Sequence, residues 1–85
     1  MKVTLKLYAS LGQYLPDHAE KNEVEVEIEQ ETSVEGVLAK HGVPPEHCHL
    51  VLINGHYLAP SESAVKTLKD GDALAIWPPV AGGKK

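Results

Sequence analysis

The sequence predicts an α+β fold in which a sheet of four to five strands packs on one main helix. Three observations carry this. Lys2 to Tyr8 and Glu23 to Glu29 alternate apolar and polar residues with a period of two; Thr32 to Gly42 carries apolar residues at helical spacing between a start and a stop signal; and an Asn-Gly hairpin is followed by one more alternating segment.

The first strand turns Val3, Leu5 and Leu7 to one side and Lys2, Thr4, Lys6 and Tyr8 to the other. "ASLGQYLP" follows, where Leu11, Tyr14 and Leu15 fit one or two helical turns before Pro16 ends them. In the second strand Val24, Val26 and Ile28 face inward and Glu23, Glu25, Glu27 and Glu29 face water. Thr32 and Glu35 have the spacing of a capping box; Val34, Val37, Leu38 and His41 then form an apolar stripe, and Gly42 supplies a left-handed stop. Gly36 costs this helix about 1 kcal/mol relative to alanine, so packing against the sheet must stabilise it. Leu50 to Ile53, Asn54-Gly55 and His56 to Leu58 read as a hairpin with a type I′ turn. "PSESAVKTL" holds a helical turn, and Asp70-Gly71 precedes a last strand with Leu74 and Ile76 inward and Ala73, Ala75 and Trp77 outward.

Eighty-five residues make one small domain. Hydrophobic residues are 42% and charged residues 24%, globular proportions, and with no Phe and one Trp the core is aliphatic. The formal charge of -4 disfavours nucleic acid, whose phosphates call for a basic face. A lone cysteine forms no internal disulfide, and no apolar run is long enough to span a bilayer. The cytoplasm is the expected location, with no membrane partner.

The chain ends in "AIWPPVAGGKK". Pro78 and Pro79 hold an extended segment away from the sheet, and Gly82 and Gly83 permit close approach to another surface. Together with "LKDGDALAIWPPVAGG", the weaker "LVLINGH" hairpin and the order of elements, this ending resembles the ubiquitin-like β-grasp sulfur carriers of the MoaD/ThiS family, above all the small subunit of molybdopterin synthase. The resemblance covers the chain through Gly83. It implies a mixed β-grasp sheet over residues 1–81, a flexible tail at 82–85, and a Gly83 carboxylate that an E1-like enzyme adenylates with ATP before a sulfurtransferase converts it to a thiocarboxylate. Val80 and Ala81 belong to the same tail as Pro78, Pro79 and Gly82. The implied protein is a carrier and no enzyme, with no bound cofactor or metal and no catalytic residue; ATP is used by the activating partner. Molybdopterin assembly, with the synthase large subunit as partner, is the leading destination. Thiazole or cysteine synthesis is the alternative.

Lys84 and Lys85 depart from the family's ending. With them attached the Gly83 carbonyl is an amide, so the family role requires a processing peptidase. Otherwise the lysines are not native, or the chain is a paralogue that is never activated. Two rivals of other classes remain: a modifier conjugated to target lysines through Gly83, and a non-covalent binding module for which the tail is dispensable.

The glutamate face reads as a solvated strand face that discourages edge pairing. His47, Cys48 and His49, if in a strand, alternate faces and do not converge on one ion, and Cys48 has no visible activating partner. The resemblance places the first and last strands side by side and parallel, which brings Tyr8 and Trp77 together on the face away from the helix. They either cover their own core or form an apolar patch that docks a partner, extended by Tyr57 and Leu58.

Overall fold

The centre of the molecule is a parallel pair of strands built from the two most aliphatic alternating segments. In the computed structural model, which describes residues 1–16, 19–63 and 65–79, β1 (Lys2–Leu7) lies beside β5 (Ala73–Trp77), with Leu5 opposite Leu74 and Leu7 opposite Ile76. β2 (Glu23–Glu27) pairs antiparallel with the free side of β1, and β3 (Leu50–Ile53) with the free side of β5. β4 (His56–Leu58) closes the other edge through the β3 hairpin. The result is a five-stranded mixed sheet in the order β2-β1-β5-β3-β4, an α+β architecture with the β-grasp arrangement.

Register sorts the side chains into two faces. One row across the sheet runs Val24, Leu5, Leu74, Ile53 and His56; the next core row runs Leu7, Ile76, Val51 and Leu58. On this face Val3, Leu5, Leu7, Leu74 and Ile76 are buried together with Val34, Val37 and Leu38 of helix α1 (Val34–Lys40) and with Leu11, Val43 and Leu68. Burial of side chains of this size stabilises the fold by about 1.5 to 3 kcal/mol each. Leu11 arrives from a 3₁₀ helix over Ala9–Tyr14, the helical turns expected there.

The cap of α1 is not the expected box. Ser33 is the N-cap, its Oγ accepting from the Gly36 N–H at 3.0 Å. Thr32 instead donates its hydroxyl to the Glu29 carbonyl at 2.6 Å. A serine one residue later satisfies the same orphan donors, and Gly42 ends the helix with φ +76° as expected. The short helix α2 (Pro60–Ser63) has its own restraint, the Glu62 carboxylate accepting from the Ala59 N–H at 3.2 Å.

One end of the sheet is tied by acidic side chains. Asp70 accepts from the Lys2 N–H at 2.8 Å. Asp72 accepts from the Lys69 N–H at 2.8 Å and from the Asn54 amide at 2.9 Å, while Asn54 Oδ1 accepts from the Ala73 N–H at 2.9 Å. The Lys-Asp-Gly-Asp turn is thus a clamp that joins the starts of β1 and β5 to the β3–β4 turn, where Asn54 and Gly55 both take positive φ. Asp72→Ala removes two of these bonds and is expected to cost about 1 to 3 kcal/mol, read as a lower midpoint in urea. A midpoint unchanged from wild type would mean the clamp contributes nothing.

Candidate functional site

Parallel pairing puts the ends of β1 and β5 at the same end of the sheet, opposite the acidic clamp. There the Tyr8 N–H donates to the Ile76 carbonyl at 3.1 Å, and the His49 N–H donates to the Trp77 carbonyl at 2.9 Å. Beyond Trp77 the ladder stops because Pro78 and Pro79 have no N–H to contribute. Pro78 is half-buried and Pro79 exposed, so the chain leaves the sheet here. Val80, Ala81, Gly82 and Gly83, the rest of the tail and the attachment point expected from the sequence, lie outside the described residues, as do Lys84 and Lys85.

At this exit Tyr8 and Trp77 stack with ring centroids 4.4 Å apart and planes 11° from parallel. Ala9, the next residue, takes φ +53°, a conformation that costs an alanine about 1 to 2 kcal/mol, and the Tyr8 carbonyl accepts from the Leu11 N–H at 3.0 Å. The face away from α1 grades from charged to apolar toward the exit of the chain. In one row Glu23, Lys6, Ala75, Leu52 and Tyr57 follow one another from the β2 edge to the β4 edge, and Trp77 sits opposite Leu50 in the next. Lys6 pairs with Glu23 at 3.9 Å, and the N-terminal amine with Glu27 at 3.1 Å, so the glutamate face meets cations of its own chain. Tyr57 is 58% exposed.

Leu58 does not join this patch. It sits opposite Val51 and packs partly buried against the core, because neighbours in a strand point to opposite faces and Tyr57 takes the outer one. Leu50 and Leu52 hold the patch instead. An apolar run with no alternation signals a strand apolar on both faces, and that signal marks both leucines.

On the helix side a groove of about 450 Å³ runs between α1 and the β3–β4 hairpin, lined by Glu35, Leu38, Val43, Cys48, His49 and Leu58 among others. His47 ends a 3₁₀ turn, Pro45–His47, and Cys48 and His49 follow it ahead of β3, so the strand parity expected for the three residues does not apply. Among the described residues no cluster of three metal-ligating side chains converges. The Cys48 thiol, which donates to the Pro44 carbonyl at 3.6 Å, is pushed above its ordinary pKa by burial and then by the nearby Glu46 carboxylate. The neutral thiol is therefore favoured by folding, and stability falls as pH rises from the ordinary cysteine range toward the raised value. Alkylation of Cys48 should titrate above a free cysteine, and Glu46→Gln should lower its midpoint; a titration matching the free amino acid contradicts the packing described.

Among the described residues no helix is long and apolar enough to cross a membrane. The model of the ThiS family matches residues 9–83. Among curated proteins no sequence match is found. Small archaeal modifier protein 1 from Methanosarcina acetivorans is similar in structure, with a TM-score of 0.65 and 26% identity over 96% of each chain. A Pyrococcus furiosus protein assigned as molybdopterin converting factor subunit 1 gives a TM-score of 0.65 and 25% identity over 93% of this chain and 98% of its own. Subunit 1 in a complex of molybdopterin-converting factor subunits 1 and 2 from Helicobacter pylori is alike in fold, with a TM-score of 0.59 and 20% identity over 98% of this chain and 100% of that one.

Proposed function

Because the chain belongs to the ThiS family, we propose that it is a sulfur carrier whose Gly83 carboxylate is adenylated by an E1-like enzyme and then thiocarboxylated. The reaction is an acyl activation: a carboxylate oxygen attacks the α-phosphorus of ATP, pyrophosphate leaves, and a sulfur nucleophile supplied through a sulfurtransferase displaces AMP. This chain contributes a positioned acid, and its partners contribute the catalysis. A processing peptidase removes Lys84 and Lys85 first.

The observation that carries this reading is the Tyr8–Trp77 stack beside the point where Pro78 and Pro79 lead the chain off the sheet. A docked partner would cover the apolar half of the outer face beside the exit at Pro78 and Pro79, the residues that precede the Gly-Gly pair in the sequence. Molybdopterin synthesis is the proposed destination, with a synthase large subunit as recipient, supported by the Pro-Pro-Val-Ala-Gly-Gly ending and the likeness to the Pyrococcus furiosus subunit. The Helicobacter pylori complex of subunits 1 and 2 supports a second subunit as the partner.

The likeness to an archaeal modifier protein favours a second reading, conjugation of Gly83 to lysines of other proteins. Intact mass of the protein from its own cell separates the two. Carriage gives a chain lacking both lysines and heavier by one sulfur-for-oxygen exchange, whereas conjugation gives a covalent ladder. A population that keeps both lysines and gains neither mass nor ladder ends both readings.

Trp77→Ala should weaken binding to the activating enzyme by about 2 kcal/mol, roughly thirtyfold, as a central aromatic anchor does. Leu58→Ala, on the opposite face, should leave that affinity alone. Calorimetric titration with the partner checks both; equal losses would remove the outer face from the interface.

A further inference from the structure

We propose that Asn54 is a modification site, losing its side-chain amide to attack by the Gly55 nitrogen, and that the hydrogen bond to Asp72 sets how fast this happens. The step needs no enzyme. As the Gly55 nitrogen gives up its proton it bonds to Asn54 Cγ, the Cγ–Nδ2 bond breaks, and ammonia leaves, closing a cyclic imide. Water then opens the ring. Attack at Cγ leaves aspartate, and attack at the main-chain carbonyl carbon of residue 54 leaves isoaspartate, whose backbone runs through the side chain. Nothing is oxidised or reduced, and water is the only co-reactant.

The hydrogen bonds single out this position among the described asparagines and aspartates. Such a side chain cyclises only when the next residue's nitrogen is free to turn onto its carbon. After Asn22 that nitrogen is held, since the Glu23 N–H donates to the Glu20 carbonyl at 2.9 Å. After Asp70 it is held as well, the Gly71 N–H donating to the Lys2 carbonyl at 2.7 Å. After Asp72 it belongs to Ala73, whose N–H donates to Asn54 Oδ1 at 2.9 Å. The Gly55 N–H alone of these has no hydrogen-bond partner among the described residues. Asn54 and Gly55 are both exposed, and apart from chain neighbours no heavy atom lies within 4 Å of where a Gly55 Cβ would stand. Water therefore reaches the ring.

What restrains the step is the clamp. The Asn54 carboxamide is held at both ends, Nδ2 donating to Asp72 Oδ1 and Oδ1 accepting from the Ala73 N–H, each at 2.9 Å. Attack comes perpendicular to the carboxamide plane and draws Nδ2 out of it as Cγ becomes tetrahedral, so both bonds must loosen first. Losing the bond to the charged acceptor should speed the step about tenfold. The product does not rebuild the clamp. Where Nδ2 donated to Asp72, a carboxylate oxygen now faces a carboxylate, and like charges at that spacing disfavour each other. Isoaspartate also adds a backbone carbon to the Asn54-Gly55 turn, which disturbs the register of Ile53 with His56. The hairpin carries Leu50, Leu52 and Tyr57, so the change bears on the apolar side of the outer face.

The modification does not depend on the carrier reading, and its test uses no partner. The full chain is incubated at mildly alkaline pH, well below its melting point, and digested. Peptides holding Asn22 and Asn54 are then followed by mass and by enzymatic methylation of isoaspartate. The expected result is an oxygen-for-NH gain with isoaspartate at Asn54, while Asn22 is unchanged. In Asp72→Ala the gain should come about tenfold sooner. Val37→Ala, which loosens the core away from the turn, should keep the wild-type rate; an equal acceleration there assigns the chemistry to unfolded chain and overturns the proposal. Asn54→Asp, which supplies one product directly, should lower the midpoint in urea at neutral pH. An Asn54 that stays intact after Asn22 has reacted, a rate indifferent to Asp72, or an Asn54→Asp chain as stable as wild type would each overturn it.

Discussion

With an E1-like enzyme and ATP, the chain ending at Gly83 is expected to support exchange of pyrophosphate into ATP, and the chain ending at Lys85 is expected to give only background. The difference lies in one functional group. A terminal carboxylate presents an anionic oxygen to the α-phosphorus of ATP; as that oxygen–phosphorus bond forms, pyrophosphate leaves ATP and the acyl adenylate, a mixed anhydride, results. In the longer chain the same carbon belongs to a peptide bond, whose nitrogen lone pair is delocalised into the carbonyl and whose oxygen carries no full charge. The carboxylate of Lys85 is no substitute, because two long side chains stand where a narrow site needs bare backbone. A second variant separates the acid from its approach. In the chain ending at residue 83, Gly83→Val keeps the carboxylate and adds a β-branched side chain, so exchange should fall on the order of a hundredfold, a loss of about 2.7 kcal/mol in the activation step. Equal exchange by the chains ending at Gly83 and Lys85 would remove Gly83 as the reacting residue.

Much of this arrangement is legible in the sequence because the strands alternate cleanly. Leu74 and Ile76 inward with Trp77 outward follow from a period of two alone, and the position of Tyr8 beside Trp77 follows once β1 and β5 are parallel. The errors occur where alternation gives no information. Leu50 to Ile53 is apolar on both faces, so the pattern does not separate its outward leucines from its core residues; the short β4 carries no register, and the expectation that groups Leu58 with Tyr57 puts it on the wrong side. Strand parity fails at His47 to His49 because the chain first forms a 3₁₀ segment over Pro45–His47. The groove is a product of tertiary placement, since its lining comes from α1, the following loop and the β3–β4 hairpin, and no local pattern announces it.

Leu74→Ala should be the most damaging single substitution in the described fold, and it also tests whether fold and interface are separable. Leu74 is fully buried between Leu5 on one side and Ile53 on the other, in the middle strand of the sheet. Truncation to alanine costs transfer energy and leaves a cavity that a backbone hydrogen-bonded on both edges cannot collapse, about 2 to 5 kcal/mol in comparable cores. A domain of this size has a total stability of about 4 to 13 kcal/mol, so the loss should lower the melting temperature by roughly 10 to 30 °C. Tyr57→Ala makes the useful contrast, because a residue 58% exposed should change stability by less than about 0.5 kcal/mol while weakening partner binding. Leu74→Ala, assayed well below its melting point, should bind the partner as wild type does, since Trp77 and Tyr8 lie on the other face. A melting temperature within a few degrees of wild type would deny that the β1–β5 pair is the packed centre; intact stability with lost binding would mean that the two faces of β5 are not independent.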